Sequence, residues 1–197
     1  MARLLAVNGS YRENGAIDQA VEVAVQQAAE AGATVEVILL RDFAIGFCTN
    51  CRHCTQVPGD APGECVQQDR MRDLVEKIER ADAYILAAPT NFSSVTAIFK
   101  RFMERLVCYA YWPWGSHAPD IRKKNSTKRA MLSASSAAPG LLGRLSYATL
   151  KQLKMTAKTI GAKPMGSVSI GLMSRDVHPE RPAAARARIR SVVGKLI

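Results

Sequence analysis

Cysteine is the residue type placed most unevenly in this chain. Cys48, Cys51 and Cys54 are each separated by two residues, and Cys65 follows after ten more. Four thiolates in one compact segment can ligate a 4Fe–4S cluster or a zinc ion. They can also stay unmetallated and hold a redox-active pair, because Arg52 and His53 stand beside them and positive charge lowers a thiol pKa. Such spacing, with no secretion signal expected, reads as metal or redox use rather than as structural disulfides. The stretch Pro58-Gly59-Asp60-Ala61-Pro62-Gly63 falls between Cys54 and Cys65. Its composition neither forbids nor favours a shared metal. Cys108 stands apart on a predicted helix and reads as packing.

A second chemistry begins at Asn8. The apolar run 3–7 breaks into Asn8-Gly9-Ser10-Tyr11-Arg12-Glu13-Asn14-Gly15, and a helical pattern follows. A strand that stops at a small polar loop before a helix offers hydroxyl, amide and guanidinium donors. The helix start adds free N–H groups and the positive end of the dipole. Gly9 and Gly15 do not fit the G-x-G-x-x-G spacing of dinucleotide sites, and no Gly-Lys-Ser/Thr follows for a P-loop. The loop is an anion cradle of a kind suited to a mononucleotide.

These groups need a scaffold, and the periodicity supplies one. Strands are expected at residues 3–7, 34–40, 83–88, 129–134 and 163–173. Helices are expected at 16–31 (with Gly32 as its stop), from 69 or 71 to 80, and at 95–109, 141–160 and 181–195. Five β/α repeats with near-continuous apolar strands indicate a parallel sheet covered on both faces. Right-handed crossovers then make a doubly wound three-layer α/β sandwich. Ligands of such sheets sit beyond the strand carboxyl ends, where the winding reverses. The loops expected there span 8–15, 89–94 and 133–140. A single domain over 1–197 is expected, with a cysteine-rich loop at 46–68 and an aromatic loop at 109–127.

Composition narrows the function classes. The chain has 197 residues, is 48% hydrophobic and carries a formal charge of +10. The basic residues are scattered, with modest concentrations at Arg122-Lys123-Lys124 and across 181–190. That reads as solvated faces rather than a nucleic-acid footprint. No apolar run approaches the ~20 residues that cross a bilayer. The first apolar segment is too short for a signal peptide, so no membrane partner and a cytoplasmic location are expected.

With the three loops in view, the chain resembles the flavodoxin-like NAD(P)H-dependent FMN reductase family, in particular its iron–sulfur flavoprotein branch. The resemblance runs from residue 4 to about 173. It rests on Gly9-Ser10-Tyr11-Arg12-Glu13-Asn14-Gly15, on Pro89-Thr90-Asn91-Phe92, on Phe99-Lys100-Arg101-Phe102 with Glu104-Arg105, and on the cysteines before Asp69. It implies a flavodoxin-like five-stranded sheet in the order 2-1-3-4-5. Ser10, Arg12, Asn14 and the backbone of Gly15, Ala16 and Ile17 would hold an FMN phosphate. Pro89, Thr90, Asn91, Phe92 and Ser93 would run beside the flavin ring. Ser133, Ala134, Ser135 and Ser136 would border its other side. Cys48, Cys51, Cys54 and Cys65 would be the cluster ligands, although the last gap is longer than the family's usual one.

The activity so implied is electron transfer from NAD(P)H through bound FMN to a quinone, flavin, metal or iron–sulfur acceptor, in a homodimer or homotetramer. The flavin carries the chemistry, so no catalytic side chain is expected. Alternatives are a flavodoxin-type electron carrier, against which the positive charge argues, and a cysteine-based redox sensor.

The remaining residues of note read as follows. His53, His117 and His178 lack partners at metal spacing and read as surface residues, with His53 set in the cysteine loop. Lys100, Arg101 and Arg105 read as a solvated face, with a nicotinamide-phosphate contact as the alternative. Tyr109-Ala110-Tyr111-Trp112-Pro113-Trp114-Gly115 holds both tryptophans of the chain. It is suited either to covering a flavin or to a subunit contact.

Overall fold

Strand runs that are apolar on both faces must be covered on both faces, and they are. The computed structural model describes residues 1–125, 127–172 and 183–197. In chain order the elements are β1 (Arg3–Asn8), α1 (Ala16–Glu30), β2 (Thr34–Leu39), α2 (Met71–Arg80), β3 (Ala83–Asn91), β4 (Ser94–Val95) and α3 (Ala97–Arg105). There follow β5 (Ala110–Tyr111), β6 (Asp120–Ile121), β7 (Lys128–Ser135), α4 (Gly140–Ser146), α5 (Thr149–Thr159), β8 (Ala162–Ile170) and α6 (Ala183–Val193). Short 3-10 turns lie at His53–Thr55 and Leu106–Tyr109.

The parallel core runs β2-β1-β3-β7-β8, which is the expected 2-1-3-4-5 order. Side chains alternate across each strand, so each face collects its own core. Leu5, Val7, Tyr84 and Leu86 pack with Leu74 and Ile78 of α2, Phe99 and Phe102 of α3 and Leu153 of α5. Leu4, Ala6, Ile85 and Ala87 face the other way, onto Ile17 and Val21 of α1 and Ile189 and Val192 of α6. β8 is an edge strand. Pro164 lies in it, and its register against β7 slips after Ala130, so that Met131 pairs with Gly166. Proline at a sheet edge forfeits no ladder bond within the sheet.

Three expected elements are drawn differently. The helix expected over 141–160 is two helices, broken at Tyr147, whose backbone is extended. The break is tertiary in origin. The Ala148 N–H donates to the Ser93 carbonyl, the Thr149 and Thr90 hydroxyls share a 2.8 Å bond, and the Gln152 amide oxygen accepts from Ser94 and from the Val95 N–H. The helix expected over 95–109 starts at Ala97, with Thr96 capping the Phe99 N–H, and ends in a 3-10 turn. Residues 110–121 hold a small antiparallel pair, β5 with β6, that periodicity did not reveal. Met173, His178 and Arg181 lie outside the described residues. Among the described residues, no helix is long and apolar enough to cross a membrane.

Candidate functional site

The winding reverses between β1 and β3, and the loops after these strands and after β7 gather there. They enclose a cleft of about 220 Å³. Ten predicted residues line it: Ser10, Arg12, Gly15, Ala16, Ile17, Pro89, Thr90, Asn91, Ser135 and Ser136. Tyr11, of the first loop's motif, and Ala137, of the third loop, line it as well.

The other predicted residues sit around this cleft without lining it. Asn14 turns the loop in the left-handed region, at φ 53°. Ser133 and Ala134 are buried in β7. Phe92 and Ser93 form the tip between β3 and β4, at φ 50° and 65°, and Phe92 is fully exposed.

The first loop is held from below by a buried network. Asp18, in the first turn of α1, accepts from the Asn8 amide at 2.6 Å and from the Asn14 N–H at 3.0 Å. Arg41 grips the same carboxylate with both terminal nitrogens, at 3.1 and 3.0 Å, and also donates to the Ser10 carbonyl. Only 13% of the Arg41 side chain and 11% of that of Asp18 is exposed. The bond from Asp18 holds the Arg41 guanidinium above its ordinary pKa, although burial opposes this. Asn8 also orients Ser10, whose N–H donates to the Asn8 amide oxygen at 2.8 Å. Sequence reading missed Asp18 and Arg41. The one available signal was an acidic residue in the first turn of a helix expected to bind an anion, where it needs a buried cation to be neutral.

Two observations fit a phosphate-bearing mononucleotide here. No side chain caps the N-terminus of α1, so the free N–H groups of its first turn point at the cleft with the dipole behind them. The Ser133 hydroxyl is buried and unbonded, two positions before the cleft residue Ser135 and so on the same face of its strand.

The cysteine segment forms a second locus. Cys48, Cys51, Cys54 and Cys65 all line one cavity of about 20 Å³, with Arg105 among its walls. Thiolates at four corners are the donor set of a 4Fe–4S cluster. The space between them is water-sized, so the donors match and the room does not. Among the described residues, no group of three or more His, Cys, Asp or Glu is placed to hold a single metal ion. The zinc alternative therefore has no geometry behind it.

Arg105 corrects the expectation of a solvated face on α3. It is 3% exposed. It is paired bidentately with Asp69 at 2.5 and 3.0 Å, and it donates to the Gly46 carbonyl, the Gln67 amide oxygen and the Cys65 sulfur. Burial would raise the Asp69 carboxyl, but the Arg105 bond and the Gly46 and Met71 N–H groups outweigh it and hold the group low. Lys100 does lie on the exposed face, with Glu104. Arg101 lies over the Phe47 ring.

Arg122 is also buried rather than solvated. Arg52 does not neutralise thiolates. Its guanidinium is stacked between Trp112 and Trp114, 3.8 and 4.2 Å from their ring centroids, and donates to the Trp112 and Pro113 carbonyls. The aromatic segment thus covers the cysteine loop. The Cys51 thiol is lowered chiefly by the backbone N–H of His53. Burial raises Cys54 to about 11 and Cys108 to about 12, which suits the packing role expected of Cys108. His53 and His117 are exposed.

A strand-end cleft at the reversal point of a 2-1-3-4-5 sheet, floored by an uncapped helix, is the architecture of the flavodoxin-like fold. Residues 2–172 match the family model described as NADPH-dependent FMN reductase. The chain belongs to that family. An iron-sulfur flavoprotein of Archaeoglobus fulgidus is 33% identical over 111 residues, 56% of this chain and 48% of that protein. The chain spans about half the length of the curated relatives it matches. Among solved structures, an azoreductase aligns with a TM-score of 0.71 at 15% identity, over 98% of this chain and 100% of that one. An NAD(P)H:quinone oxidoreductase from Methanothermobacter marburgensis aligns at 0.67 with 18% identity, over 98% and 96%. At these identities the likeness concerns the fold.

Proposed function

We propose that this chain is an FMN-dependent oxidoreductase that takes electrons from NAD(P)H and passes them to a small-molecule or protein acceptor. The observation that carries the reading is the cleft itself. Ser10, Arg12 and the uncapped start of α1 converge with the loops after β3 and β7 at the sheet's reversal point.

The Arg12 guanidinium and the first-turn N–H groups would hold the phosphate dianion, with charge-assisted bonds and the helix dipole both acting in its favour. Asp18 and Arg41 keep that loop in its binding shape before the ligand arrives, which lowers the cost of ordering on binding. Asn91 and the neighbouring backbone would face the flavin's polar edge. When bound, FMN supplies the hydride and electron chemistry, and the chain supplies position and exclusion of water. Leu141, Leu142 and Leu145 of α4 are exposed, as is Phe92. That supports an assembly of copies in which these apolar side chains are covered.

The four-thiol cavity favours one second reading, in which the cysteine segment itself relays or senses electrons in addition to the flavin.

An absorption spectrum of anaerobically purified protein, with NADPH then added, tests the first reading. Bands near ~370 and ~450 nm that bleach with NADPH are expected, since the cofactor carries the signal. Bound flavin that NADPH leaves unbleached moves the function to an electron carrier. Failure to bind FMN at all overturns the proposal.

A further inference from the structure

The excursion between Cys54 and Cys65 starts and finishes at almost one place. At its far end the Gly63 N–H donates to the Cys108 carbonyl over 2.9 Å. Gly63 also lies flat against Cys54. A Cβ built there would overlap the Cys54 carbonyl oxygen and would stand 2.7 Å from the carbonyl carbon. No side chain fits between the two backbones.

At the near end a single buried guanidinium gathers the chain. Arg122 is 7% exposed. Its Nη2 donates to the carbonyls of Cys54 and Val57, at 3.3 and 2.8 Å, and its Nη1 to that of Gly59 at 2.9 Å. Its Nε reaches the Cys108 and Ala110 carbonyls, at 3.1 and 3.2 Å. Among the described residues, no carboxylate pairs with it. A buried cation is tolerated only where hydrogen bonds replace its water, and here carbonyls of the excursion's near end and of residues 108 and 110 do so. The guanidinium therefore cannot leave without freeing the loop, and the loop cannot open without stranding a charge.

We propose that Arg122 and Gly63 are the positioning residues of the four-thiol site. They close residues 55–64 into a loop whose ends meet, so that Cys65 enters the same cavity as Cys48, Cys51 and Cys54. The inference rests on the reading that these four thiols act as a set. It accounts for a chain whose last cysteine gap is ten residues long and whose thiols nevertheless converge.

The test uses the full chain and the variants Gly63→Val, Arg122→Met and Arg122→Lys. Diamide oxidises a pair of thiols to a disulfide, two protons and two electrons passing to the diazene to give the hydrazine. Peptide mass analysis then counts the disulfides joining Cys65 to Cys48, Cys51 or Cys54. Iron bound after anaerobic reconstitution is measured in parallel, with FMN retention as the control remote from the loop. Gly63→Val and Arg122→Met are expected to lower the Cys65-linked disulfide at least fivefold, with FMN retention unchanged. Arg122→Lys, which keeps the charge and loses the fork, is expected to fall between these and the parent.

A parent chain that takes up no iron while the disulfide still falls in the variants removes the cluster reading and supports the closure. Cys65 disulfides formed at parental yield in Gly63→Val and Arg122→Met overturn it. If both variants lose their circular-dichroism signature, Arg122→Lys decides, and parental disulfide yield in that variant overturns the closure.

Discussion

The strand-end cleft and the cysteine segment hold their groups by different means. The cleft is placed by topology. Wherever a parallel sheet reverses its winding, three loop ends meet, and the loop residues have only to be small and polar. The cysteine segment has almost no regular structure to place it. It is held by three long-range arginines, each doing something different: Arg105 pairs with a carboxylate, Arg122 collects carbonyls, and Arg52 is clamped between indoles. One site is inherited from the fold and the other is fastened to it.

If that contrast holds, damage to the two loci should separate. The largest effect is expected for Asp18→Ala, which leaves Arg41 buried without its partner. Breaking a buried pair in this way costs about 3–5 kcal/mol, and urea unfolding measures it. FMN binding should fall with it, while the reactivity of the cysteine segment toward a maleimide should not change.

Next comes Arg12→Ala. Its side chain is exposed in the loop, so stability should hold within about 0.5 kcal/mol. FMN affinity should drop by roughly 10- to 100-fold, the worth of a charge-assisted bond, as read by fluorescence titration. Unchanged affinity would remove the cleft from the phosphate's path.

The smallest effect is expected from acid on the other locus. Asp69 is held below its ordinary carboxyl value of 3.8. Its contribution to stability is therefore complete above that value and is lost as pH falls through the lower, folded-state pKa. Proteolysis within residues 46–68 should accelerate in that acid range and be flat between pH 5 and 8. Acceleration already near pH 6 would assign the loop's order to a different group.

The same division explains what could be read from the chain. Strand and helix placement, sheet order and ten of the residues lining the cleft were legible, because each depends on local periodicity and on a rule of parallel sheets. The break at Tyr147 was not. Its cause is the β3–β4 hairpin, more than fifty residues earlier in sequence, which accepts a hydrogen bond from Ala148 and donates two to Gln152. Arg105 and Arg122 were misread for a related reason. An arginine on a polar stretch looks solvated until its carbonyl or carboxylate partners, brought in by tertiary structure, are known. Charge run and buried anchor share one sequence signature, and only the fold distinguishes them.

The edge at β8 has a consequence for assembly. A strand that lacks a donor at Pro164 and slips a residue against its neighbour at Met165 makes a poor template for another chain's backbone. Copies of this protein that meet on that side must do so through side chains on helices and loops. A contact on that side is then one of packed surfaces rather than of a continuous sheet.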